Sequence, residues 1–184
     1  MIKLKKRQGE SDMKSYPAIG IRPIVDSRRL GIRDALEGKV REMAEAAKAL
    51  IEQNVFYADG TPAKVVIFSG SIAGGEEAAR CEQEFAAQHV TATLSVTPSW
   101  CYPLETIDLN PMTVKAIWGF NGTERPGAVY LASALAAHNQ MKRPCFSYLR
   151  TGCAGHGRKG NSGRCRREDP AVCTLCAGRR TDAE

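Results

Sequence analysis

Between Ala18 and Ser147, short apolar runs alternate with stretches of helical period, and few architectures accept that order. Ala18–Asp26 reads as a buried strand ending in a polar turn. Lys64–Ser69, Thr91–Thr97 and Lys115–Phe120 repeat the pattern, and Cys145-Phe146-Ser147 opens a fifth run. Between the first two runs, Leu36, Val40, Met43, Ala47, Leu50 and Ile51 recur at spacings of three and four, which predicts a helix over Arg33–Val55. Gly74-Gly75 opens a second helix over Glu76–Gln88. A third, over Ala128–Gln140, follows Pro126, whose missing N–H costs little in a first turn. Strands alternating with helices of this length demand right-handed crossovers. The expected fold is therefore α/β: a doubly wound, mostly parallel sheet with helices on both faces, Rossmann- or flavodoxin-like. In such sheets ligands sit beyond the carboxyl ends of the strands. That directs attention to the loops after Asp26, Ser69, Thr97 and Phe120.

The 184 residues suit one domain with a single core. No apolar run approaches the ~20 residues that cross a bilayer. The basic start, Met1 to Arg7, is followed by Gln-Gly-Glu-Ser-Asp and not by an apolar segment, so no secretory signal is visible. A cytoplasmic location with free thiols is the expectation, and no membrane partner. The net charge of +6 would invite a nucleic-acid partner were it spread over the body. It is not. From Ser147 onward eight Lys and Arg face four acids, so the tail carries +4 and everything before it only +2. No nucleic-acid partner is expected.

Cysteine usage divides at the same place. Cys81, Cys101 and Cys145 are scattered and read as buried structural thiols, whereas Cys153, Cys165, Cys173 and Cys176 crowd the tail. Cys173-Thr-Leu-Cys176 is one Cys-x-x-Cys, but Cys153 and Cys165 form no second knuckle, so a zinc site is the weakest reading.

Among the loop motifs, Gly70-Ser-Ile-Ala-Gly-Gly75 lacks the Gly-Lys-Ser/Thr ending of a phosphate loop and reads as a glycine-rich turn. Trp100 follows a strand and a proline at the functional edge. Its face suits the C–H side of a sugar, and equally it could cap the core. Trp118 sits mid-strand and reads as core. Arg28 and Arg29 lie just past the first strand, where a guanidinium fork can hold hydroxyls or simply face water. His89 and His138 have no ligand-like neighbours in sequence and read as helix-end or surface residues.

Together these segments resemble the L-fucose isomerase family. The resemblance is carried by Ile19–Arg33, Ser71–Gly74, Val96–Tyr102, Glu105–Asp108 and, most specifically, the unbroken run Lys115–Ala132, and it covers roughly residues 14 to 147. It implies a parent activity that interconverts L-fucose with L-fuculose, and D-arabinose with D-ribulose, through a metal-assisted enediol with Mn²⁺, in a homo-hexamer. The family's metal-binding Glu, Asp and His lie in later domains without counterparts here. The resemblance thus implies no catalytic residue and no metal ligand in this chain, no Mn²⁺ bound by it and no activity alone. By position, Arg28 and Trp100 match residues expected to touch the sugar in a neighbouring subunit's site. A non-catalytic oligomerisation or sugar-contacting domain is the alternative.

The same resemblance accounts for the tail. Codons compatible with Leu149 through His156 permit Tyr-Gly-Gln-Asp-Val-Gln-Asp one base out of frame. Those for Asn161 through Cys173 permit Ile-Pro-Ala-Asp-Val-Asp/Glu-Glu-Lys-Ile-Leu-Arg-Phe-Ala, close to how the family continues. The organisation expected is thus an N-terminal extension over 1–13, the family domain over 14–147, and a frameshifted basic tail over 148–184, with extension and tail both disordered.

Overall fold

β1 (Ala18–Pro23) is the centre of the sheet, paired in parallel with β2 (Val65–Ile67) on one side and β3 (Val90–Thr97) on the other. The computed structural model describes residues 16–28, 31–120 and 127–150; the expected N-terminal extension, and the tail beyond Arg150, lie outside them. β3 pairs with β4 (Val114–Phe120), and β4 with β5 (Cys145–Arg150), giving a five-stranded, wholly parallel sheet of order β2-β1-β3-β4-β5. This is the flavodoxin-like order, whose direction of winding reverses between β1 and β3.

The helices follow the periodicity closely. α1 runs Ile32–Asn54, entered through Gly31 at φ 78, a left-handed conformation that glycine accepts without strain. α2 runs Gly75–Ala87 and α4 Gly127–Gln140. A short helix unseen in the sequence, α3 (Pro103–Thr106), sits inside the expected polar loop, with Pro103 in its first turn. Four residues cannot display a period.

α1 lies on one face. Val40, Ala44 and Ala47 pack on Ile21, Val25, Val65 and Val96. The opposite face takes the other helices. There Cys81 and Phe85 of α2 pack with Phe68 and Ile72, and Tyr130, Leu131 and Ala134 of α4 with Ile24, Cys101 and Ile117. Two glycines let these layers close. A Cβ on Gly20 of β1 would stand 2.4 Å from the Phe85 ring, and one on Gly127 2.4 Å from the Thr97 carbonyl oxygen. Cys81 and Cys101 are buried and free, as expected; burial pushes the Cys81 thiol up to about 11 and Cys101 higher still. Trp118 is half-buried against the α1-side core.

Two features depart from the sequence reading. β5 continues to Arg150, so its pairing passes Ser147. His138, read as a surface or helix-end residue, does lie in the last turn of α4 but is only 2% exposed. The correction has a physical cause: α4 is so rich in alanine and leucine that its sequence does not show which face packs on the sheet.

Candidate functional site at the carboxyl edge

The winding reverses between β1 and β3, and the loops that follow these two strands meet beyond their carboxyl ends, where ligands sit in sheets of this kind. After β1, Asp26 is buried while the side chain two residues on, Arg28, is half exposed (1% and 51%). The backbone makes the pairing local. The Arg28 N–H donates to Asp26 Oδ1 at 3.0 Å, an aspartate turn that folds the loop back on itself. The guanidinium then grips the same carboxylate: Nε donates to Oδ1 at 3.0 Å and Oδ2 at 2.9 Å, and Nη2 to Oδ2 at 2.5 Å. These bonds and the carboxylate's charge hold the Arg28 guanidinium further above its already high range. Such forked pairs fix the plane of an arginine as well as its place.

That plane lies over Trp100, whose ring centroid is 5.7 Å from Arg28 Cζ. Trp100 comes from the loop after β3. Tyr102 meets it edge to face at 4.6 Å, a geometry in which the ring quadrupoles attract. The loop itself is pinned from below. Thr97 Oγ1 donates to the Ser99 carbonyl at 2.7 Å, and Thr106 Oγ1 donates to that of Tyr102 at 2.8 Å. Asp26, Arg28, Trp100 and Tyr102 therefore form one ledge: a buried anion, a half-exposed cation, and two aromatic rings.

Other cations tie the rest of this edge together. Arg33 joins α1 to α2 through Glu37 at 3.0 Å and Glu77 at 3.1 Å. Arg41 donates to the carbonyls of Phe68, Ser69 and Gly70. The glycine-rich turn thus offers carbonyl oxygens to its own guanidinium, which supports its reading as a turn and not a phosphate cradle. Lys39 lies 5.8 Å from the Phe120 ring.

The sequence-level candidates Arg28 and Trp100 are thus brought together, although seventy-odd residues separate them. Arg29 falls outside the described residues. Two partners escaped the sequence reading, Asp26 and Tyr102. The signal for Asp26 was present in the Asp-Ser-Arg spacing, which suits an aspartate turn; nothing in the sequence announces Tyr102. Among the described residues, no three His, Cys, Asp or Glu side chains come together as a metal site.

A family model described as the first N-terminal domain of L-fucose isomerase matches residues 16–153, from the residue before β1 to just past β5. The chain belongs to the L-fucose isomerase family. Its relatives include the L-fucose isomerase of Clostridium perfringens (strain 13 / Type A), 58% identical over 134 residues. That of Salmonella arizonae is 56% identical over 133 residues. The matched segment covers 73% and 72% of this chain but only 22% of either relative. The ledge sits wholly inside it, so the L-fucose isomerase domain brings its own paired arginine with a tryptophan ring beneath it. No described helix is long and apolar enough to cross a membrane.

Proposed function

We propose that this chain is the N-terminal portion of an enzyme converting L-fucose to L-fuculose, and D-arabinose to D-ribulose, and that its own part is to form one wall of the sugar site. The observation that carries this reading is the Arg28–Trp100 ledge at the switch point. Trp100 offers a flat face for the apolar C–H side of a sugar, and Arg28 offers the N–H groups that Asp26 leaves unused to its hydroxyls. The isomerisation itself moves a proton between C1 and C2, a step that a divalent ion assists by polarising the neighbouring oxygens. Among the described residues, no group of three His, Cys, Asp or Glu side chains fits such an ion. On this reading Mn²⁺ is held by the remainder of a complete chain. The ledge serves the site of a neighbouring subunit in a cytoplasmic homo-hexamer, without nucleic-acid or membrane partners, and this chain is inactive alone.

The test is a titration of the full chain with L-fucose, following tryptophan emission in the unaltered protein and in Trp100→Phe. A saturable change that disappears in the variant supports the wall; no change, or one that survives the substitution, counts against it. Incubation with Mn²⁺ and L-fucose should yield no L-fuculose, and any catalytic turnover would overturn the assignment of inactivity. The frame of the tail is tested separately by resequencing the gene across codons 140 to 180.

A further inference from the structure

We infer that Asp26 is the specificity-determining residue of the ledge: it positions Arg28 over Trp100 and cancels its charge, so that the site takes uncharged polyols and turns away phosphorylated or carboxylated ones. The inference rests on the proposed sugar-contacting role of Arg28 and deepens it.

Three observations carry it. First, the carboxylate is buried and the guanidinium half exposed, so the anion lies beneath the face that a ligand would meet. Second, both carboxylate oxygens are engaged by Arg28, through Nε and Nη2. Among the described residues Nη1 makes no hydrogen bond and remains a donor, on a guanidinium already paired with a carboxylate. Third, the edge consumed by Asp26 is the Nε–Nη2 fork, one of the two edges on which a guanidinium can take two oxygens of a phosphate or carboxylate. A bare guanidinium on an aromatic shelf would be a good anion site; here one fork is filled from within the chain and a carboxylate stands beside the other. Hydroxyl oxygens, needing single donors and no net charge, can still be served.

Asp26 acts through Arg28 and is a positioning residue, so its test must separate charge from folding. Inorganic phosphate is the probe, its binding to the full chain followed by the ³¹P line width. The basic tail contributes the same background to every variant. In Asp26→Asn the fork loses its counter-charge, and phosphate should bind about tenfold more tightly than to the unaltered chain, the size expected for one charge near the surface. Asp26→Glu keeps the charge and shifts its position; phosphate affinity should stay low while the Trp100 contribution to near-ultraviolet circular dichroism changes. The gain must vanish in Asp26→Asn combined with Arg28→Gln. Should Asp26→Asn fold poorly, Asp26→Ser repeats the charge change and keeps an acceptor for the Arg28 N–H. A folded neutral variant without the gain overturns the inference, as does an unaltered chain that binds phosphate equally well. Failure of L-fucose to perturb Trp100 would sink the sugar wall but leave the phosphate series readable, so the two failures are distinguishable.

Discussion

On the α1 face of the sheet, Ile21, Val25 and Val96 meet Val40, Ala44 and Ala47, all buried and all apolar. On the opposite face Arg22, Thr93, Ser95 and Lys115 stand on the strands, no less buried, with Asp108 and His138 beside them. The second face is a network. Thr93 Oγ1 donates to Asp108 Oδ2 at 2.6 Å, and Thr113 Oγ1 donates to the same oxygen at 2.8 Å. Lys115 Nζ donates to Thr113 Oγ1 at 3.0 Å and to the carbonyls of Thr113 and Asn110. Arg22 Nη1 donates to Ser95 Oγ at 3.3 Å, while Nη2 and His138 Nδ1 have no partner among the described residues. One face is held by shape and removal from water alone, while the other adds to its apolar clusters a buried set of hydrogen-bonded polar groups. The lesson is that equal burial predicts opposite sensitivities: the first face should tolerate no charge, and the second should suffer most when a charge is taken away.

The largest effect should come from carrying the chemistry of one face to the other. Ala44→Asp puts an unpaired carboxylate at a fully buried position and should cost more than about 4 kcal/mol, enough to abolish the cooperative thermal transition. A variant that still melts normally would break the comparison. Next is Asp108→Ala, which strips Thr93 and Thr113 of an acceptor and removes the negative charge that acts on Lys115. A loss of about 3 kcal/mol is expected in urea unfolding. Val40→Ala should cost less, about 2 kcal/mol, because the apolar face loses only contacts and a small volume. An Asp108→Ala loss smaller than the Val40→Ala loss would invert the reading of the two faces.

The smallest effect is a pH dependence confined to the polar face. Burial, then the charge of Lys115, holds the His138 imidazole below its ordinary value of 6.5. The unfolded chain therefore takes up a proton before the native one does. Its contribution to stability is present above 6.5 and is lost as pH falls below it, at no more than about 1.4 kcal/mol per pH unit. His138→Phe should flatten that slope, and an unchanged slope between the two proteins would show that His138 is not its source.

The apolar face was legible in the sequence, because Val40, Ala47 and their neighbours repeat at helical spacing and the strands show as apolar runs. The polar face was not. Arg22 and Lys115 lie within strands, and one basic residue in a short run says nothing of whether it meets water or a buried acceptor. His138 was hidden by the uniform alanine of α4. At the site, Arg28 and Trp100 could be named because a strand end, a guanidinium and an indole are each visible in a sequence. Their contact could not, since it depends on β1 and β3 being neighbours although β2 comes between them in the chain. The aspartate beneath Arg28 read only as a turn former, its second role being set by burial.

The central place of β1 also has a consequence in time. A chain made from its N-terminus releases β1 first, but both of its partners come later, one beyond α1 and the other beyond α2. Until β3 has emerged, the strand that will anchor the whole sheet has at most one edge satisfied, and its buried Arg22 has no Ser95 to meet. Parallel pairings of this kind close long loops before they return any stability, so they form late and slowly. Assembly of this domain therefore waits on its third strand, and the ledge, which needs the loop after that strand, is completed only when Trp100 and Tyr102 arrive.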